Sequence, residues 1–401
     1  MIGVKLNFKT ITLKNYYKDN YISALDGLRG LMALWVFYGH FQLLCIGTEP
    51  FFGDPTIAVD IFMLLSGFLM YYQWEKRWSN ELSFASQTKV FYLRRFFRIA
   101  PLYFVLLTVV YAMGSYFNSI QLSLNEFVPQ PWADEGLGGA LAGAERSKFI
   151  DIISHYTFVF GFLPKYVETN ILPDWSIGLE MQFYLFFPFL VMIIRKIGWF
   201  PMTIIILALT LINSRLFGLY GQPGLIASYV LPGFLGFKLY IFLAGMLLGG
   251  AYLNRKSALW MLFIALGIIF YSTTIQFKAF FVLCLFILFY DFNTNPAKIP
   301  GFLIKMTKML GSPFGKFLGN TSYSVYLVHM LILFPILVFL HGLDWFAALS
   351  DNLKMLAAGS IVIPLVYLIS YVLFKIVELP GISFGRQVLK RREQKVATPV
   401  S

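Results

Sequence analysis

Residues 24–46, ALDGLRGLMALWVFYGHFQLLCI, decide the fold. The run has the length a helix needs to cross a bilayer, about 17 to 25 residues, yet it carries Arg29 and His40 inside it. Comparable apolar runs occur at 56–73, 99–117, 177–194, 199–214, 235–253, 257–273, 275–290, 321–341 and 355–377, which makes ten expected spans. An eleventh segment, 150–166, is shorter and contains Asp151, His155 and Pro164, so it is expected to be re-entrant or packed at the outer surface. The expected fold class is all-α, a polytopic transmembrane helical bundle of about ten spans.

Composition points the same way. Apolar residues make up 58% of the 401 and charged residues only 13%, with a mean hydropathy of +0.70. A soluble core cannot hide that much apolar surface, whereas a bilayer can. The net charge of +12 does not indicate nucleic acid, because the basic residues lie in short clusters between apolar runs. These clusters include Arg94, Arg95 and Arg98 in the 74–98 linker, Arg195 and Lys196, Arg255 and Lys256, four Lys within 298–316, and Arg386, Lys390, Arg391, Arg392 and Lys395 in the tail. Positive clusters of this kind mark loops facing the cytoplasm.

Both termini are therefore expected in the cytoplasm, which requires an even number of spans. The 118–148 stretch then lies outside, and 215–234, with Gly218, Gly221, Pro223, Gly224, Pro232 and Gly233, is expected to be an external loop or a broken helix. No cleavable signal peptide is evident: Lys5, Lys9, Lys14 and Lys18 form a basic tail before the first span. The expected organisation is a cytoplasmic tail at 1–20, a membrane domain at 21–385 and a basic cytoplasmic tail at 386–401. Cys45 and Cys284 lie in apolar stretches, away from any ligand or CxxC spacing, and read as buried thiols.

Ionisable groups inside spans are costly, so each is expected to face a cavity or a partner rather than lipid. Arg29 and His40 lie on nearly the same face of the first span, about 16 Å apart along the axis. The competing structural reading has Arg29 reaching to lipid phosphates and His40 satisfied in the core. In the second span, Ser66-Gly67 reads first as a close-packing step, and Ser66 is no nucleophile without a base. Arg95 and Arg98 are three apart and project together, which suits a polyphosphate or, equally, a plain membrane anchor. Pro101 is expected in the first turn of the next span.

Downstream, Ser176 is expected to cap a helix whose first turn holds Glu180, with Trp175, Gln182 and Tyr184 nearby. Ser322, Tyr326 and His329 share one face of a later span. Glu378-Leu379-Pro380 is expected to close the last span, with Pro ending the helix.

Taken in order, these elements resemble the acyltransferase-3 family from about residue 22 to 385. The matching elements are Arg29 to His40, Ser66-Gly67-Phe68, Arg95-x-x-Arg98-x-x-Pro101, Trp175-Ser176-x-x-x-Glu180, Ser322-Tyr323-x-x-Tyr326-Leu327-x-His329 and Glu378-x-Pro380. The resemblance implies a ten-helix core in a bacterial cytoplasmic (inner) membrane that takes an acyl group, by default acetyl, from cytoplasmic acyl-CoA. The acceptor would be a hydroxyl of a carbohydrate or glycoconjugate, such as a surface polysaccharide. Some members carry an SGNH-type esterase domain after the core, and this chain is expected to be a stand-alone member without it.

On that resemblance Arg29, Arg95 and Arg98 would bind the acyl-CoA co-substrate, and His40 would be the base, or alternatively the carrier of an acyl-histidine relay. Glu180 would orient or charge-balance His40. Trp175, Tyr326 and His329 would bind the acceptor, with Tyr326 and His329 also placed to donate to the oxyanion. No metal is expected, since the four His are not at ligand spacings. A multi-span transporter or flippase for a glycan or lipid-linked substrate also accommodates intramembrane Arg, His and Glu, and a sensor that keeps the fold without chemistry is a third reading.

Overall fold

The computed structural model describes residues 22–48, 50–78, 83–128, 149–220, 222–254, 257–289 and 299–397. The expected 1–20 tail, most of the 118–148 loop, and the Arg255 and Lys256 pair lie outside the described residues. The chain is overwhelmingly helical. Its helices are α1 (Ser23–Ile46), α2 (Pro55–Arg77), α3 (Phe84–Ala112), α4 (Gly114–Phe127), α5 (Phe149–Tyr156), α6 (Trp175–Ile197) and α7 (Trp199–Leu216). They continue as α8 (Leu239–Leu253), α9 (Ala258–Ser272), α10 (Ile275–Phe289), α11 (Gly301–Leu310), α12 (Pro313–His341), α13 (Asp344–Ala347), α14 (Asp351–Leu373) and α15 (Leu379–Ala397).

Among the described residues, six helical stretches are both long and apolar enough to cross a membrane, and three shorter apolar helices accompany them. The long stretches are α2, α3, α6, α7, α12 and the run from Asp351 to Lys390. The 24-residue α1 is buried along most of its length by its neighbours. The chain is thus an integral membrane protein, and most of each expected span falls within one helix, except that 99–117 is divided between α3 and α4, 235–253 opens in a 3-10 turn at Leu235–Phe237 and 355–377 ends in the π turn Phe374–Glu378. The 150–166 segment folds as the short α5 followed by two 3-10 turns, Phe160–Phe162 and Pro164–Tyr166. Eight residues of helix rise only about 12 Å, too little to cross.

Three local expectations are corrected. The 74–98 linker is mostly helix: α3 begins at Phe84 behind a Ser83 cap, so Arg94, Arg95 and Arg98 lie within it, and Pro101 is internal. An uninterrupted helical backbone through the basic cluster follows from its good helix formers, which charge counting reads as loop. Pro380 does not end the last helix. A π-helical turn, Phe374–Glu378, opens the hydrogen-bond ladder just ahead of it and the chain continues as α15. A widened turn accommodates a residue that has no N–H to donate. Finally, the 215–234 stretch contains two three-residue strands, Phe217–Leu219 and Ala227–Tyr229, paired in parallel.

Two helix pairs organise the interior. α1 packs along α12, running parallel to it. A Cβ on Gly27 would sit 2.2 Å from the Leu310 carbonyl oxygen, and one on Gly30 would sit 2.5 Å from Leu318. α2 packs equally closely on α8, where a Cβ on Gly67 would lie 2.2 Å from the Phe242 carbonyl oxygen. Small residues at these crossings let the backbones approach, the usual basis of helix association in lipid.

Candidate active site

A cavity lies where α1, α2, α6, α8 and α12 meet, with about 540 Å³ of empty space counting its open mouth. It is lined on its polar side by Arg29, Ser66, Ser176, Glu180 and Ser322, and on its apolar side by residues such as Val59, Phe62, Met63 and Phe242. The rings of Phe62 and Tyr326 meet edge to face at 6.2 Å, and Tyr326 stands 6.2 Å from the His329 ring.

Glu180 is held from two sides. Ser66 Oγ donates to its Oε1 at 2.7 Å, and the Tyr184 hydroxyl donates to the same oxygen. The Ser66-Gly67 step therefore serves both readings: Gly67 brings α2 against α8, and Ser66 reaches the α6 carboxylate. The structure places Glu180 with Ser66 and Tyr184, and His40 elsewhere. Tyr184 also gives its ring to Arg95, whose guanidinium lies 5.8 Å from that ring and 5.7 Å from Phe91. Arg95 donates to Gln73 at 2.7 Å, its buried Nε has no partner, and no carboxylate pairs with it among the described residues.

Arg98, three residues on, has a different environment. It pairs with Glu378 in the π turn, and Ser324 of α12 donates to the other carboxylate oxygen at 2.9 Å. The two arginines, expected to act together, are thus divided between a carboxylate and an aromatic box. Arg29 makes no hydrogen bond or ion pair among the described residues and faces the cavity.

His40 meets His329. His40 Nδ1 lies 3.0 Å from His329 Nε2, the rings stack at 5.2 Å between centroids, and His329 Nδ1 is 3.1 Å from the Val325 carbonyl. His329 is fully buried, while His40 keeps some exposure. The α1–α12 packing produces this contact across 289 residues of sequence.

Trp175 is buried at the start of α6. Ser176 was expected as its cap, but the residue before the helix is Asp174, with no side-chain cap, and Ser176 Oγ instead bonds the Tyr326 hydroxyl at 2.6 Å. Tyr326 in turn donates to the Pro173 carbonyl at 2.8 Å, so its hydroxyl ties α12 to the α6 entrance while its ring lines the cavity. Satisfying that buried carbonyl has priority over local capping.

Beneath the α6 entrance lies a buried network that sequence reading missed. His155 of α5 sits between Asp174, 3.0 Å from Nδ1, and Asp151, 3.4 Å from Nε2, and the Tyr103 hydroxyl donates to Asp174 at 2.8 Å. Thr169 and Asn170 add further bonds to the two carboxylates. Burial alone would lower the His155 pKa, but the two carboxylates outweigh it and hold it up at about 9. The i,i+4 spacing of Asp151 and His155 was the available signal. Among the described residues no cluster of His, Cys, Asp or Glu is arranged to hold a metal ion.

Comparison with known proteins agrees with this architecture. A stretch of 189 residues, 45% of this chain, is 29% identical to peptidoglycan O-acetyltransferase OatA of Listeria monocytogenes and covers 26% of that protein. Acyltransferase MdmB of Streptomyces mycarofaciens is 29% identical over 194 residues, 44% of this chain and 41% of its own length. Protein 2 in picA locus of Rhizobium radiobacter is 38% identical over 98 residues, 23% of this chain and 44% of its own length. The chain therefore spans less than half the length of each of these relatives. No solved structure matches it. The family model for the acyltransferase domain matches residues 22–375, nearly the whole helical core, and the chain belongs to the acyltransferase-3 family.

Proposed function

We propose that this protein is a membrane O-acyltransferase that moves an acyl group, by default acetyl, from acyl-CoA to a hydroxyl of a carbohydrate or glycoconjugate. The observation that carries the reading is the cavity, with Arg29, unpaired among the described residues, at its wall, Glu180 held in place, and the Tyr326–His329–His40 group beside it. Family membership supports acyl transfer, and the peptidoglycan O-acetyltransferase among the relatives favours a carbohydrate acceptor; neither lends support to the transporter reading.

In this scheme the donor enters from the cytoplasm, with both termini on that side of a bacterial inner membrane. Arg95 takes a phosphate of the CoA moiety, because its buried Nε has no partner among the described residues and an anion would satisfy it. Arg29 meets the pantetheine or phosphate end, and Arg98 holds the mouth through Glu378. A neutral His40 takes the proton of the acceptor hydroxyl as its oxygen bonds to the thioester carbonyl carbon. The C–S bond then breaks, and the departing thiolate recovers that proton from His40 as free CoA. Glu180 contributes charge at the cavity wall, and Trp175 and Tyr326 shape the acceptor side.

The test is free-thiol release from acetyl-CoA by the purified protein in lipid across a panel of glycan acceptors. Acceptor-dependent release, abolished in His40→Ala, is expected. If no acyl-CoA binds and none is consumed with any acceptor, the assignment fails.

A further inference from the structure

We propose that His329 is the positioning residue for His40, holding it in the Nδ1–H tautomer so that its Nε2 lone pair is the basic atom. This proposal rests on the acyltransferase reading and names which nitrogen of which histidine does the work.

Three groups in a row fix where the protons lie. The Val325 carbonyl can only accept, so the nitrogen 3.1 Å from it, His329 Nδ1, carries a hydrogen. A neutral imidazole has one N–H, which leaves His329 Nε2 with a bare lone pair. The 3.0 Å contact between His329 Nε2 and His40 Nδ1 is then a hydrogen bond only if His40 Nδ1 donates. The Val36 carbonyl, one turn back on α1, also bonds the His40 ring and can only accept, so it is a second acceptor for the same Nδ1–H, and His40 Nε2 is in consequence unprotonated. The order of groups is therefore carbonyl, imidazole, imidazole, and an open base at the end.

Both imidazoles have to be neutral for this order to hold. His329 is fully buried, and among the described residues no carboxylate hydrogen-bonds to either ring; the one carboxylate whose charge acts on His40, Asp54 at the cap of α2, does so without a hydrogen bond to it. The rigidity of the chain comes from α12, since Val325 and His329 are four apart on one helix, and from the close α1–α12 packing that brings His40 to it. Phe37 adds an edge contact to the His329 ring at 6.1 Å, restricting its rotation.

When His40 takes a proton on Nε2, its Nδ1–H becomes a charged donor to His329, and charge-assisted bonds are roughly twice as strong as neutral ones. The contact thus strengthens as the reaction proceeds and stabilises the imidazolium. A buried carboxylate does this for the histidine of a serine-protease triad, where loss of the correct tautomer lowers turnover by about 10⁴-fold. Here a neutral histidine does it, so the base is oriented without a fixed negative charge.

The experiment combines nitrogen NMR with kinetics on the full chain in lipid. Selective ¹⁵N-histidine labelling, with the His40 signals identified by their loss in His40→Gln, reads the tautomer directly. The wild type is expected to show a protonated Nδ1 and a pyridine-like Nε2 at His40. His329→Leu, which fills the space but accepts nothing, should let both tautomers appear and lower kcat at least 100-fold with the KM for acetyl-CoA unchanged. His329→Gln, whose side-chain carbonyl can accept from His40 Nδ1, should restore the single tautomer and most of the turnover.

A protonated Nε2 at His40 in the wild type overturns the proposal, as does a His329→Leu variant that is fully active or His329→Gln that is no better than Leu. If the tautomer pattern is found but no acyl-CoA is consumed with any acceptor, the histidine pairing stands and the acyltransferase reading fails. A His329→Leu protein that does not fold leaves the wild-type spectrum and the Gln variant to decide.

Discussion

Arg98 and Glu378, 280 residues apart, form an ion pair whose carboxylate is fully buried and whose guanidinium is 26% exposed. The pair joins α3 to the π turn that precedes α15, and Ser324 brings α12 into the same contact. Removing one member leaves the other charge without its partner. Arg98→Ala should lower stability by about 3 kcal/mol, near the low end for breaking a buried pair, whereas Arg98→Met/Glu378→Gln should recover much of the loss. Thermal unfolding midpoints of the two variants in matched detergent check this; equal losses would mean that the pair does not hold these helices.

Arg95 has the opposite character, a half-buried side chain whose buried Nε has no partner among the described residues. Arg95→Gln should raise the concentration of acyl-CoA needed for half-maximal binding by about 10- to 100-fold, the worth of one hydrogen bond to a charged group. Arg95→Lys should fall between, since an ammonium keeps the charge and loses the planar fork. Equilibrium binding of CoA read against these variants decides it, and unchanged affinity in Arg95→Gln removes this residue from the donor site.

The crossing of α2 and α8 predicts a graded response to a single methyl group. A Cβ at Gly67 would lie 2.2 Å from the Phe242 carbonyl oxygen, so Gly67→Ala must push the helices apart. The expected cost is about 1–3 kcal/mol, with activity reduced further because Ser66 would be drawn away from Glu180. At Gly267 in α9 nothing lies within 4 Å of such a Cβ, and Gly267→Ala should be neutral or stabilise by up to about 1 kcal/mol. Thermal midpoints of both, measured side by side, separate packing from helix propensity.

The His155 network makes stability depend on pH. Its folded pKa of about 9 stands above the ordinary 6.5, so the stabilisation is fully present below about pH 6.5 and is lost as pH rises through about 9. The whole span is worth roughly 3 kcal/mol. The wild type should therefore lose stability between pH 6.5 and 9 more steeply than His155→Gln, a comparison that unfolding midpoints across that range provide. Parallel curves would show that the histidine is neutral between its two carboxylates.

The sequence by itself determined that the chain is a bundle of apolar helices, the approximate limits of most of them, and the side chains that do not belong in lipid. Run length and apolar content are properties of one segment, and a polar group inside such a run is conspicuous without knowing its neighbours. Arg29, His40 and Glu180 were legible for that reason. Where local chemistry competed with distant contacts, the reading failed: Ser176 left its cap for Tyr326, and Pro380 was absorbed by a π turn. Only the tertiary structure decided the partners, joining His40 to His329, Glu180 to Ser66 and Arg98 to Glu378 across 289, 114 and 280 residues. Helical period assigns a residue to a face, but which face it meets depends on where two backbones can approach. Here that was settled by the glycines of α1 and α2 against the main chain of α11, α12 and α8.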